Sequence, residues 1–149
     1  MSQIILPALS IRQPWLWAIM AGHEPIENRT WKPHRRLIGR RLVLAASASR
    51  RDWQGEWFHG VLKQLGIEAP ETGSLVFGAA VGTVRVTGCD PPFDPRQQSF
   101  GADERARGPW RAPEQFGWLL ADPRPFPEPI PAKGRLGIWD IEIPEDYAA

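Results

Sequence analysis

Hydrophobic and polar positions divide the chain into short segments of two periods. Leu9 to Gln13 alternates and reads as a short strand. Pro14 suits the first position of a helix, where its missing N–H would have no partner anyway. Trp15 with Ile19 and Leu16 with Met20 are i,i+4 pairs that predict a buried stripe on that helix, and Gly22 is its natural stop. After a turn at Glu24-Pro25, residues 26–31 read as extended. Residues 40–46 read as a core strand built on Leu42, Val43 and Leu44.

Ser49, with Asp52 three positions on, predicts the start of a second helix whose apolar stripe is Trp53, Trp57 and Val61, ended by Gly66. Leu75 to Thr87 is the longest strand candidate, and Gly78 and Gly82 within it mark bulges or sharp coiling. Ten of the sixteen prolines fall between Gly88 and Arg135, which predicts loop with one short helix over 114–121, opening after Pro113. In the closing strand, Gly137 to Ile143, Trp139, Ile141 and Ile143 share one face. The order of elements predicts an α+β domain spanning 1–149, with a small β-barrel core and short flanking helices.

Composition narrows the class. A chain of 149 residues with 42% apolar content supports one core. The single cysteine, Cys89, precludes an intrachain disulfide and fits a reducing compartment, and no apolar run near the start is long enough for a signal peptide or a membrane span. The expectation is a cytoplasmic protein.

The net charge is only +1, but it is unevenly placed: residues 1–63 carry +6 and residues 64–149 carry −5. Arg29, Lys32, Arg35, Arg36, Arg40, Arg41, Arg50 and Arg51 form a run without an acidic residue among them. Such a basic patch either steers phosphates or is a solvated face balanced elsewhere in the fold. Eight tryptophans add flat surfaces on which bases can stack, at about 1–3 kcal/mol each.

His23, His34 and His59 lack metal-ligand spacing, so no metal is expected. Neither a phosphate-cradling loop, a dinucleotide fingerprint nor a serine elbow is present, which removes the standard NTPase, dehydrogenase and hydrolase readings; no cofactor is expected. Unusual residues concentrate instead in Ser10-Ile11-Arg12-Gln13-Pro14-Trp15 and in Gly22 to Trp31.

Those segments resemble the ASCH family of PUA-like domains, whose hallmark is GxKxxExR after a first strand and helix. Gly22, Glu27 and Arg29 match it at the right spacing. Phe116-Gly117-Trp118, Pro123-Arg124-Pro125 and the stretch from Lys133-Gly134 to Trp139 also look like one branch of that family. The resemblance implies a PUA-like barrel and recognition of RNA or another single-stranded nucleic acid. It departs at the motif lysine, which is Glu24 here. In ASCH enzymes that deacetylate N4-acetylcytidine that lysine is catalytic, and a glutamate cannot supply amine chemistry, so the amidohydrolase assignment does not transfer.

Residue by residue, alternatives stay open. Glu27 and Arg29 point to one face of an extended segment, where they either pair to hold the turn or read a base. Asn28 lies between them. Arg12 and Gln13 end a strand before a helix, placed either to cap it or to meet an anion. Trp17 is the expected stacking platform and Trp15 the core residue, with Trp31 a second platform. Ser47 leaves a strand end where its hydroxyl can reach a ligand. If the protein is an enzyme, Glu27 or Glu24 is the candidate acid/base.

Overall fold

The computed structural model describes residues 2–50, 55–94, 96 and 108–148. Six strands and two helices follow in the order β1 (Gln3–Ile11), α1 (Trp15–Met20), β2 (Ile26–Arg29), β3 (Arg41–Ala46), α2 (Glu56–Leu65), β4 (Ala79–Asp90), β5 (Phe116–Pro131) and β6 (Ile138–Pro144). They form one sheet in the order β2-β5-β4-β3-β1-β6. Only β1 and β3 pair in parallel, joined by the crossover that contains α1 and β2; the other neighbours are antiparallel.

The fold is α+β, as expected, but the sheet is open. Strands β2 and β6 stand at opposite edges, and among the described residues no ladder joins them, so the expected barrel does not close. With four residues, β2 covers only Phe116–Leu119 of β5 and is too short to complete a ring.

Alternation in the strands builds a core on each face of the sheet. Leu9, Ile11, Leu42, Leu44, Val84, Val86 and Trp118 pack under α1 through Leu16 and Ile19. Ala8, Val43, Ala45, Ala80, Phe126 and Ile143 form the other face, with Trp139 and Ile141 packed against them as the alternation predicts. Fully burying a side chain of the size of Leu or Phe stabilises by about 1.5–3 kcal/mol, so these two clusters dominate cohesion.

The helices follow their signals in part. Leu16 and Ile19 are buried, and Gly22 (φ 84°) ends the turn after α1. Gly66 closes α2 in the left-handed conformation (φ 69°). However, α2 begins at Glu56 after Gly55, and its buried stripe is Phe58, Val61 and Leu62, which seats it on Ala18, Ile26 and Trp110. Trp57 is 48% exposed, so it is not on the buried stripe assigned to it. Asp52 and Trp53 lie outside the described residues.

The helix expected over 114–121 is instead the start of β5, a strand of sixteen residues. The reason is the proline spacing. Pro123, Pro125, Pro127, Pro129 and Pro131 occupy every second position, and in a strand every second N–H faces the same side. A proline has no N–H to give, and the ladder to β4 accommodates all five: Pro125 and Pro131 stand opposite Gly82 and Ala79, while Pro123, Pro127 and Pro129 fall in the register shifts where β5 has extra residues over β4. Gly82 lies where β5 passes closest: a Cβ there would meet the methyl end of Met20 and the Arg124 carbonyl at 2.6 Å.

Candidate functional site

The parallel pair β1 and β3 ends at Ile11 and Ala46, and a cleft of about 1040 Å³ opens beyond those ends. Arg12, Trp15, Glu24, Glu27, Arg29, Trp31 and Ser47 line it, together with Trp57 and Phe58 from α2 and the loop 132–137. The two stretches singled out in the sequence, around Arg12 and around Glu27, therefore meet at one hollow.

At the floor are two carboxyl groups. Glu24 is only 4% exposed. Burial and then the neighbouring Glu27 charge hold its pKa well above the ordinary carboxylate range. Burial likewise pushes the Glu27 carboxyl up to about 7, against the opposing pull of Arg29. Arg29 stands beside it, Nε to Glu27 Oε1 being 3.7 Å, which is an ion pair too long for a hydrogen bond. The Arg29 guanidinium instead donates from Nη2 to the Ser10 carbonyl at 2.6 Å, tying β2 to β1. Glu24 Oε1, Glu27 Oε2 and Arg29 Nε are buried without a hydrogen-bond partner among the described residues. Each such atom forgoes about 1–3 kcal/mol of solvation, an arrangement that folding alone does not favour.

The walls are aromatic. Trp31 packs edge-on against the buried Trp118 (centroids 4.9 Å apart, planes at 90°), whose indole N–H donates to the Trp31 carbonyl at 3.0 Å. Trp15 and Trp57 stand with centroids 5.0 Å apart across the α1–α2 junction. Trp17, the expected platform, is not on the cleft. It turns away toward His23 and Phe58, because residues two apart on a helix cannot face the same way. Trp15 takes the cleft position.

Other expected residues serve the frame. Gln13 is 3% exposed; its side chain donates to the Val76 carbonyl at 2.9 Å and accepts from Trp17 N–H at 2.9 Å, capping α1 outside the cleft. Asn28 lines the cleft, yet its amide clasps the segment before β5, donating to the Trp110 carbonyl at 2.8 Å and accepting from Ala112 N–H at 2.9 Å. Ser47 Oγ accepts from Ser49 N–H at 3.1 Å while lining the cleft.

Of the basic run, only Arg29 lines the cleft among the described residues. Lys32, Arg35, Arg36 and Arg40 are exposed elsewhere, Arg41 binds Thr83 and Asp122, and Arg50 lies over the Phe77 ring at 4.0 Å. Arg51 lies outside the described residues. The cations at the cleft are Arg12, Arg29, Lys133 and Arg135.

Lys133, Arg135 and Leu136 also line the cleft, though the sequence marks their stretch only as part of the family resemblance and not as a site. They belong to the β5–β6 loop, where Gly134 approaches Ser10 so closely that a Cβ would stand 3.0 Å from its Oγ. Leu136 is 99% exposed at the cleft rim. Besides the resemblance noted for this stretch, the signal in the sequence is Lys133-Gly134-Arg135-Leu136-Gly137 itself, in which two cations alternate around Gly134 before a second glycine. Among the described residues no group of three or more His, Cys, Asp or Glu could hold a metal, and no helix is long and apolar enough to cross a membrane.

Comparison with known proteins agrees with this architecture. The model of the ASCH domain matches residues 9–129, which include the cleft floor, the first helix and most of the sheet. The crystal structure of ASCH from Zymomonas mobilis is similar in fold, with TM-score 0.50 and 13% identity over 95% of this chain and 89% of that one. A serine-to-alanine mutant of the Zymomonas mobilis protein matches with TM-score 0.49 and 14% identity, covering 89% of this chain and 85% of that one. With the family match spanning well over half its length, this chain belongs to the ASCH domain family.

Proposed function

We propose that the cleft binds a nucleobase presented by RNA or another single-stranded nucleic acid. The observation that carries this reading is the pair of buried carboxyls whose Oε1 (Glu24) and Oε2 (Glu27) lack donors, at the floor of an aromatic-walled cleft. A base supplies what the protein leaves unmade: ring and exocyclic N–H groups for the carboxylates, a carbonyl oxygen for Arg29 Nε, and a flat face for Trp31 or Trp15. Lys133 and Arg135 at the rim meet the adjoining phosphates, with Arg12 beside them.

Titrating short single-stranded RNA and DNA at two salt concentrations tests the reading. Micromolar affinity that weakens as salt rises is expected, as is a loss of about 1–3 kcal/mol in Trp31→Ala. Affinity should also rise as pH climbs through about 7, since only an ionised Glu27 accepts from two donors. Absence of binding at low salt defeats the proposal.

One observation favours a second reading, a hydrolase acting on a modified nucleoside or on RNA. A carboxyl held at about 7 is matched to proton transfer near neutral pH. Incubation with acylated cytidines and with RNA would then give products that disappear in Glu27→Gln. Unchanged product formation in that variant rules out Glu27 as the acid/base.

A further inference from the structure

A cluster of arginines lies on the face of the sheet opposite α1. Arg41 of β3 stands directly across from Arg85 of β4, and Thr83 of β4 stands across from Arg124 of β5. Residues facing one another across strands project to the same side, so β3, β4 and β5 bring three arginines together. Leu42 and Val84, the alternate residues, point the other way into the core beneath α1.

Between the Thr83–Arg124 and Arg85–Ala121 pairs β4 advances two residues and β5 three, so β5 carries a bulge. Within it Asp122 adopts a left-handed conformation (φ 53°) and its carboxylate reaches Arg41 at 3.1 Å and Arg124 at 2.7 Å. Thr83 Oγ1 and its carbonyl accept from Arg41 at 3.1 and 3.0 Å, fixing Arg41 as a buttress with a side chain only 13% exposed. Arg85 and Arg124 are left facing solvent, with the exposed Arg40 adjoining Arg41 in the chain.

Like charges placed directly opposite one another cost stability. Here one carboxylate is shared by two arginines and Arg85 adds a third positive charge. The crowding is felt at Arg41, which burial, then Arg124, and more weakly Arg85, press below its ordinary pKa while Asp122 opposes them. A fold needing only internal pairing would not assemble this excess.

We infer that the Arg41–Arg85–Arg124 face binds the phosphodiester backbone of a nucleic acid, as a site separate from the cleft. The guanidiniums of Arg85 and Arg124 make charge-assisted hydrogen bonds to successive phosphates, while Asp122 and Thr83 hold Arg41 in place beneath them. Strand β3 begins at Arg41 and ends one residue before Ser47, so its six residues put the two sites roughly 20 Å apart at about 3.3 Å per residue. A strand several nucleotides long can reach both. A trinucleotide seated in the cleft cannot.

The test is fluorescence anisotropy of the full chain with a labelled trinucleotide and with an oligouridylate long enough to span both sites, across a salt series. The variants are Arg85→Ala/Arg124→Ala and its charge-keeping counterpart Arg85→Lys/Arg124→Lys. For the long oligonucleotide the alanine pair should weaken binding by about tenfold at low salt and lower the slope of log K against log salt by about 1.4, since each single-strand phosphate contact contributes about 0.7. Trinucleotide binding should not change, and the lysine pair should restore most of the slope. An unchanged slope and affinity in the alanine pair overturns the inference. Polyglutamate binding as tight as the oligouridylate overturns the assignment to a nucleic-acid backbone. If the long oligonucleotide depends on Arg85 and Arg124 but ignores Trp31→Ala, the cleft reading fails and this surface stands; the reverse pattern removes this surface alone.

Discussion

Glu24 and Glu27 lose more hydration than their neighbours return, and the chain bears the cost in a pH-dependent way. A carboxyl whose folded pKa lies above its unfolded value of 4.5 holds its proton longer in the native state. Its contribution is therefore most favourable below about 4.5 and declines as pH rises, for Glu27 until about 7. Glu24→Gln keeps the shape and discards the charge. It should raise the thermal midpoint at pH 8 by several degrees and flatten its dependence on pH between 5 and 8, while Ser47→Ala on the same cleft should leave that dependence intact. Thermal unfolding across a pH series checks both. Glu27 and Arg29 can be read from the sequence, because their spacing of two sets them on one face of an extended segment, and Glu24 through the motif position it occupies in the turn before it. Of Gln13 only the cap on Trp17, four residues on, can be read, and Asn28 cannot, since the Val76 partner of Gln13 lies 63 residues away and the partners of Asn28 lie 82 and 84 away.

At the level of elements, the segment before β5 is held by side chains as well as by backbone bonds such as Glu114 N–H to the Phe93 carbonyl. Asn28 bonds Trp110 and Ala112, while Arg111 Nη1 donates to the Gln115 carbonyl at 3.0 Å and Nη2 to the Pro91 carbonyl at 2.8 Å. Asn28→Ala removes two good hydrogen bonds and leaves a buried carbonyl and N–H without partners, at a cost on the order of 2–4 kcal/mol. The expected outcome is a midpoint lowered by roughly 5–15 °C, with faster proteolysis between Trp110 and Gln115. Helix α1 and four of the strands were readable because each carries its own period, with Pro14 before α1 among the clearest signs, whereas for α2 its closing Gly66 was legible but its start and buried stripe were not. The start of β1 was hidden by Pro7, which is paired only with Asp140 of β6, as β3 pairs from Ala8 onward. Strand β5 was hidden more deeply. Proline density argues for loop until its spacing of two is noticed, and that spacing has meaning only beside a neighbour on one side alone.

Across the whole molecule, charge is distributed differently from its order in the chain. Among the described residues, only Arg29 of the basic run lines the cleft, and Arg85 and Arg124, from a half of the chain with net negative charge, join Arg41 instead. Lys133 and Arg135 similarly supply the cleft rim across from Arg12. Which cations converge is decided by strand pairing, and pairing between strands forty or eighty residues apart leaves no local trace.

The proline-spaced edge of β5 has a bearing on solubility. An uncovered strand ordinarily offers its amides to any passing chain, and an unclosed sheet carries that hazard along its full length. Here a visiting strand meets ring carbons where it needs donors. Pro127→Thr/Pro129→Thr would restore two N–H donors in the stretch between Pro125 and Ile130, where β5 has no partner on β4. Such a protein should remain folded by circular dichroism yet form concentration-dependent oligomers in sedimentation velocity, where the parent chain sediments as before.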